Sequence, residues 1–224
     1  MIHSVARLRV VAMLLCAVVA FCVSAAPAPV YRHRPAKLWF DGWDEPIDKV
    51  GGCKFARDGE KLTITAPGSN SEPVLLLREV EGDFVLVLRV SGDFHPRGEG
   101  HFRAGVALVF GGSRSGMDRV TESKAGTVSG GFRAELSGNG KHMNSASGCN
   151  GKDMGNVSYL RVSRKGNELI LEAKEAGGEW TTMNRGFTTL TLPKKIKVGV
   201  SAEATAPGPF RVEFDQFELT KPAK

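Results

Sequence analysis

Short runs of β-branched and aromatic residues recur from Leu38 onward, each stopped by Gly, Pro, Asn or Asp, and no long stretch carries a helical period. That punctuation limits what the chain can fold into more than any other feature. It predicts strands at 61–65, 74–80, 83–90, 102–110, 131–136, 158–164, 168–174, 180–183, 188–192, 195–203 and 210–219. Several runs alternate as a sheet with one buried face must, with Val198, Val200 and Ala202 set against Lys197, Ser201 and Glu203. Lys165-Gly166-Asn167 reads as a hairpin turn between two of them. Many strands with polar connections and no helices imply an all-β fold, an antiparallel two-sheet β-sandwich or jelly roll. Two stretches break the rhythm. Residues 111–130 and 138–156 are rich in Gly, Ser, Asn and Lys and read as long loops, the second a candidate binding rim.

Residues 1–25 read as a secretory signal peptide: Arg7 and Arg9 form a basic start, 10–23 an apolar run, and Val23-Ser24-Ala25 a small-residue cleavage site. The run is too short, and too soon followed by Pro27 and Pro29, to span a membrane comfortably. Export to a secreted, periplasmic or cell-surface location is therefore expected, with no membrane span after cleavage. A Pro-rich basic linker over 26–37, one sandwich domain over 38–220 and a tail at 221–224 follow. Removing the leader takes Cys16 and Cys22 and leaves Cys53 and Cys149. An oxidising compartment favours pairing these two. Closing so long a loop stabilises by up to about 4.7 kcal/mol in the chain-entropy model. The alternative is a pair of buried free thiols.

The formal charge is +6 and falls with the two leader arginines. Lys194, Lys195 and Lys197 are the tight basic cluster, and they lead into a strand rather than a groove. No aromatic-interleaved basic surface or known motif points to nucleic acid. A modest positive charge suits acidic polysaccharide or envelope polymer better.

The segment "RVEFDQFELT", residues 211–220, carries three carboxylates. Phe210, Val212 and Phe214 keep one phase, whereas Phe217 and Leu219 continue it displaced by one residue. A β-bulge near Asp215-Gln216 restores the phase and leaves Glu213, Asp215 and Glu218 on the opposite face. A laminarinase-type glycosidase uses such a run, with two carboxyl groups about 5–5.5 Å apart in the retaining case. The economical reading is the solvated face of a structural strand that closes the sandwich near its N-terminal strand. His95, Glu99 and His101 in "HPRGEGH" offer metal-ligating types without a recognised spacing and read as loop residues. Asn150, Asp153 and Asn156 offer oxygens of the kind calcium takes; no other cofactor is suggested. Sugar binding wants an exposed aromatic ring flanked by polar groups. Trp180, Trp43 and Tyr159 are the candidate platforms, with Trp39 beside them and Arg133, Arg161 and Asn144 as polar partners. In a sandwich each such ring is more often core than platform.

"GGCKF", "GEKLTITAPG", "LLLREVEGDFVLVLRVSGDF", "FRAGVALVF", "YLRVSRKGNEL", "KKIKVGVSAEAT" and "FDQFEL" follow in order from Gly51 to Leu219. Together they resemble a family of secreted domains of unknown function with the concanavalin A-like lectin/glucanase fold. Some members of that family are labelled as regulators of enolase. The chain departs from that pattern in two places. Val109-Phe110 stands where the family carries Trp, and Gly177-Gly178-Glu179-Trp180 keeps the Trp of a D-G-x-x-W hairpin without the Asp. The resemblance implies a fold and hands over no site. The expected function is a non-catalytic secreted module that binds glycan or envelope polymer. The alternative is a laminarinase-type glycoside hydrolase using Glu213 and Glu218.

Overall fold

The computed structural model describes residues 42–138, 141–150, 154–184 and 190–221. The leader, the linker and Trp39 lie outside them, as do Asp153 and residues 222–224. The described residues form an antiparallel two-sheet β-sandwich, as the alternating runs predict. In chain order the strands are β1 (Lys54–Asp58), β2 (Lys61–Ala66), β3 (Asn70–Glu81), β4 (Phe84–Gly92) and β5 (Gly100–Phe110). They continue with β6 (Ser113–Lys124), β7 (Thr127–Gly138), β8 (Lys141–Asn150), β9 (Val157–Lys165) and β10 (Glu168–Glu175). The last are β11 (Thr181–Thr182), β12 (Lys195–Ala204) and β13 (Phe210–Thr220). One sheet has seven strands in the order β1-β2-β13-β4-β9-β10-β11, the other six in the order β3-β12-β5-β6-β7-β8. No described helix is long and apolar enough to cross a membrane.

Period-two alternation supplies the core. Phe84, Leu86, Leu88 and Val90 of β4 face inward, opposite Phe102, Ala104, Val106 and Leu108 of β5 and Val198, Val200 and Ala202 of β12. Each fully buried Leu or Phe contributes about 1.5–3 kcal/mol through removal from water. Phe210 ties the layers together, stacking on Phe102 at 4.6 Å and meeting Phe94 edge-on at 5.0 Å. Trp43 closes one side of the core, edge-on to Phe217 at 4.9 Å.

The expected bulge in the last strand is present. Register against β4 shifts between Asp215 and Glu218, and Gln216 takes φ 49° to make the step. Phe217 and Leu219 thereby pack against the core. The strand lies beside the N-terminal strands, as expected, and inside its sheet, with β2 on one side and β4 on the other.

The two predicted loops are also corrected. Residues 113–124, 127–138 and 141–150 form β6, β7 and β8, paired in continuous register. Their sequence hides the alternation because the inward phase of β6 includes Ser115, Arg119, Thr121 and Ser123, all buried. Arg119 is accommodated inside the sandwich. Its guanidinium lies 4.3 Å from the Phe94 ring centroid and donates to Ser158 Oγ at 2.9 Å and to the Gly155 carbonyl. The predicted strand at 180–183 shrinks to β11, and in the one at 188–192 the described residues 190–192 are not in a strand.

The disulfide is corrected too. Cys53 is a free thiol just ahead of β1, an edge strand of the seven-stranded sheet. Cys149 pairs its backbone with Gly130 in β8, an edge strand of the six-stranded sheet; its side chain lies outside the described part. Cys53 has Asp48 for a neighbour, whose Oδ2 accepts from the Cys53 amide at 3.0 Å. Burial, then the charge and hydrogen bond of Asp48, push the thiol up to about 12. At neutral pH this keeps it as the thiol rather than the nucleophilic thiolate.

Candidate functional site

Each sheet turns one face to the core and one outward, and the two outward faces carry different chemistry. On the six-stranded sheet the outward phase of β5, β6 and β12 brings together Arg103, Asp118, Ser201 and Glu203. Gly105 makes room for the first carboxylate. A Cβ there would lie 2.9 Å from Asp118 Oδ1 and 2.1 Å from the Met117 carbonyl, so the acid settles over bare backbone. Asp118 is 7% exposed and accepts from Ser201 Oγ at 2.9 Å, with Arg114 at 3.6 Å. Burial pushes its carboxyl above the ordinary range against the pull of Arg114 and Arg103. Glu203 shifts the other way. Burial works against its charge, but the His101 hydrogen bond at 2.8 Å and the Arg103 guanidinium outweigh it and hold the carboxyl low. Arg103 donates to Glu203 Oε2 through Nε at 2.8 Å and Nη2 at 2.5 Å. These groups satisfy one another, and a sugar has little to add.

The seven-stranded sheet turns outward a row made by register: Asp215, Arg89, Tyr159 and Lys174 on β13, β4, β9 and β10. The next row runs Glu218, Val87, Arg161 and Glu172. Trp180, just ahead of β11, joins this patch. Its ring centroid lies 4.4 Å from the Arg161 guanidinium and 5.0 Å from Lys174 Nζ. The same Lys174 nitrogen is 5.3 Å from the Tyr159 centroid, so one ammonium joins two half-buried rings. Arg161 is clamped by Glu172 through bonds of 2.6 and 2.8 Å, and that hydrogen bonding raises its already high pKa. Arg89 pairs with Asp215 at 2.5 Å.

Trp180, Tyr159 and Arg161, picked from sequence as candidate ligand residues, therefore meet on one face. The carboxylates Glu213, Asp215 and Glu218 share that face. Arg133 and Asn144 stand on the opposite side of the molecule, outward on β7 and β8, where Arg133 pairs with Glu135 at 2.7 Å. Trp43 is core packing at the sandwich edge. His95 bonds Asp93, His101 bonds Glu203 and Glu99 accepts from the Ala125 amide, so these three form no constellation. Of the calcium candidates Asn156 is exposed, while Asp153 and the side chain of Asn150 lie outside the described part. Among the described residues, no group of three or more His, Cys, Asp or Glu is placed to hold a metal.

Glu213 and Glu218, the pair a hydrolase would use here, do not have glycosidase geometry. Glu213 faces Ser91 and Glu218 faces Val87, four residues apart on β4. At the ordinary rise that is roughly 13 Å along the strand, beyond the separation of about 5–9.5 Å that two-carboxylate hydrolysis uses. The hydrogen bond and charge of Lys61, with Arg211 beyond it, hold Glu213 low. A general acid needs the reverse.

The outward charges of the six-stranded sheet, Asp118, Arg103 and Glu203, are not singled out by the sequence. The signal available was Asp118 opposite Gly105, and it needs strand register to be read.

No known protein family matches the chain, and no curated protein matches it in sequence. Solved structures do share its fold. A functionally unknown protein from Saccharomyces cerevisiae aligns at TM-score 0.60 and 16% identity, over 76% of this chain and 93% of that one. An alginate lyase from Klebsiella pneumoniae aligns at 0.52 and 10%, over 75% and 84% respectively. A sialidase aligns at 0.50 and 11%, over 80% of this chain but 17% of that one. At such identities the likeness is one of fold, and that fold is the jelly-roll β-sandwich.

Proposed function

We propose that the protein is an exported, non-catalytic module that binds a carbohydrate polymer across the outward face of its seven-stranded sheet. The observation that carries this reading is the pair of half-buried rings, Tyr159 and Trp180, held on one sheet face by a shared ammonium. A sugar ring offers C–H groups to an aromatic face and hydroxyls to its rim. Here the rim carries Arg89, Asp215, Arg161 and Glu172, ordered by ion pairs. Groups already fixed in place lose little freedom when a ligand arrives, which favours binding. The rows cross several strands, which suits a chain of sugars. Structures of this fold include ones named for alginate and sialic acid chemistry, and that supports the ligand class.

The test is a set of binding isotherms of the full chain against neutral and acidic polysaccharides. Wild-type protein should bind at least one polymer, and Trp180→Ala and Tyr159→Ala should each weaken it about tenfold or more. Absence of binding across the panel, or binding indifferent to both substitutions, overturns the reading.

A further inference from the structure

The charges of the aromatic patch do not cancel evenly. Arg161 is neutralised by Glu172 and Arg89 by Asp215. Lys174 has no carboxylate partner among the described residues; its contacts are the two rings. A π face attracts an ammonium but offers no lone pair in the manner of an oxygen acceptor, so its three N–H donors remain to be used. The rings also restrict the side chain in advance, so less rotamer freedom is lost when a ligand arrives. The uncompensated Glu218 stands three strands away on β13, roughly 14 Å across the sheet. Glu179, exposed in the turn before Trp180, is the nearer acid in sequence.

Resting on the carbohydrate reading above, we propose that this site selects acidic sugars, and that Lys174 receives the carboxylate of a uronate whose ring lies against Tyr159 and Trp180. The sugar then supplies two things the site lacks. Its C–H face covers the aromatic rings, and its anion takes the N–H donors that the rings cannot accept. A neutral polymer satisfies the first requirement and leaves the second to water.

The experiment uses the full chain and two matched pairs of polymers: polygalacturonate with its methyl ester, and alginate with its ester. Esterification keeps the backbone and removes the charge. Wild-type protein should bind the acid of at least one pair about tenfold more tightly than the ester, with a preference that shrinks as salt is raised. Lys174→Met keeps the aliphatic stem on the rings and removes the ammonium. It should abolish the preference for the acid over the ester, and Lys174→Arg should restore it. Glu179→Gln should tighten binding of the acid. Equal affinity for acid and ester in both pairs, or a preference that survives Lys174→Met, overturns this inference and leaves the carbohydrate reading standing. Loss of all polymer binding in wild type overturns both. Thermal melts of each variant separate unfolding from lost recognition.

Discussion

The outward faces of the two sheets hold similar side-chain types and spend them differently. On the six-stranded sheet Asp118 and Glu203 are nearly inaccessible, and each has partners within the face. On the seven-stranded sheet the charged groups stand around half-exposed rings, and among the described residues Lys174 contacts only those rings. Charge count alone would not separate the two. Burial makes the first face part of the scaffold, because an internal ion pair costs heavily if broken. Exposure makes the second face available to a partner.

Breaking the buried side gives the largest effect. Glu203→Ala strands Arg103 and His101 and should destabilise by about 3–5 kcal/mol in urea unfolding. A loss below 1 kcal/mol would place that network with ordinary surface pairs and erase the contrast. The two acids of this face also predict opposite pH trends. Glu203 is held low in the folded state, so its contribution is full above its unfolded value and lost as pH falls through the folded one. Asp118 is held high, so its contribution is full below its unfolded value and lost as pH rises through the folded one. Asp118→Asn should therefore flatten the decline on the neutral side of a stability–pH profile, and Glu203→Gln the decline on the acid side. On the exposed face Trp180→Ala should cost about 1–2 kcal/mol through its two cation–π contacts, and far more in ligand binding. Glu213→Gln gives the smallest effect. Its pairs with Lys61 and Arg211 are exposed enough that the change should stay within about 1 kcal/mol, measured by thermal melting.

The sequence disclosed what depends on neighbours along the chain. Phe214 and Phe217 break phase by one residue, and the bulge at Gln216 follows from that alone. Tyr159, Arg161 and Trp180 were recognisable because large rings and a cation on alternating strands draw attention whichever face they take. What depends on distant strands was not visible. Arg119 points into the core, where no reading of alternation would put it. Its acceptors, Ser158 and Gly155, and the Phe94 ring come from remote segments. That inward arginine is why residues 111–130 looked like a loop. Export chemistry argued for joining Cys53 to Cys149, but Cys53 sits just ahead of an edge strand of one sheet and Cys149 in an edge strand of the other, and Cys53 is free.

The strand order also governs when the sandwich becomes complete. β12 divides β3 from β5, and β13 divides β2 from β4, so the last two strands fill interior positions in both sheets. A nascent chain that has emerged only as far as β11 leaves open the four strand edges that β12 and β13 later cover, and has no finished layer. Contacts of such long sequence separation form slowly, because the intervening chain must first be drawn together. Closure is thus delayed until synthesis of the domain is nearly over. Under the export proposed above, late closure would keep the chain pliable while it crosses a membrane pore. The exposed edges also make it a natural client for holding chaperones.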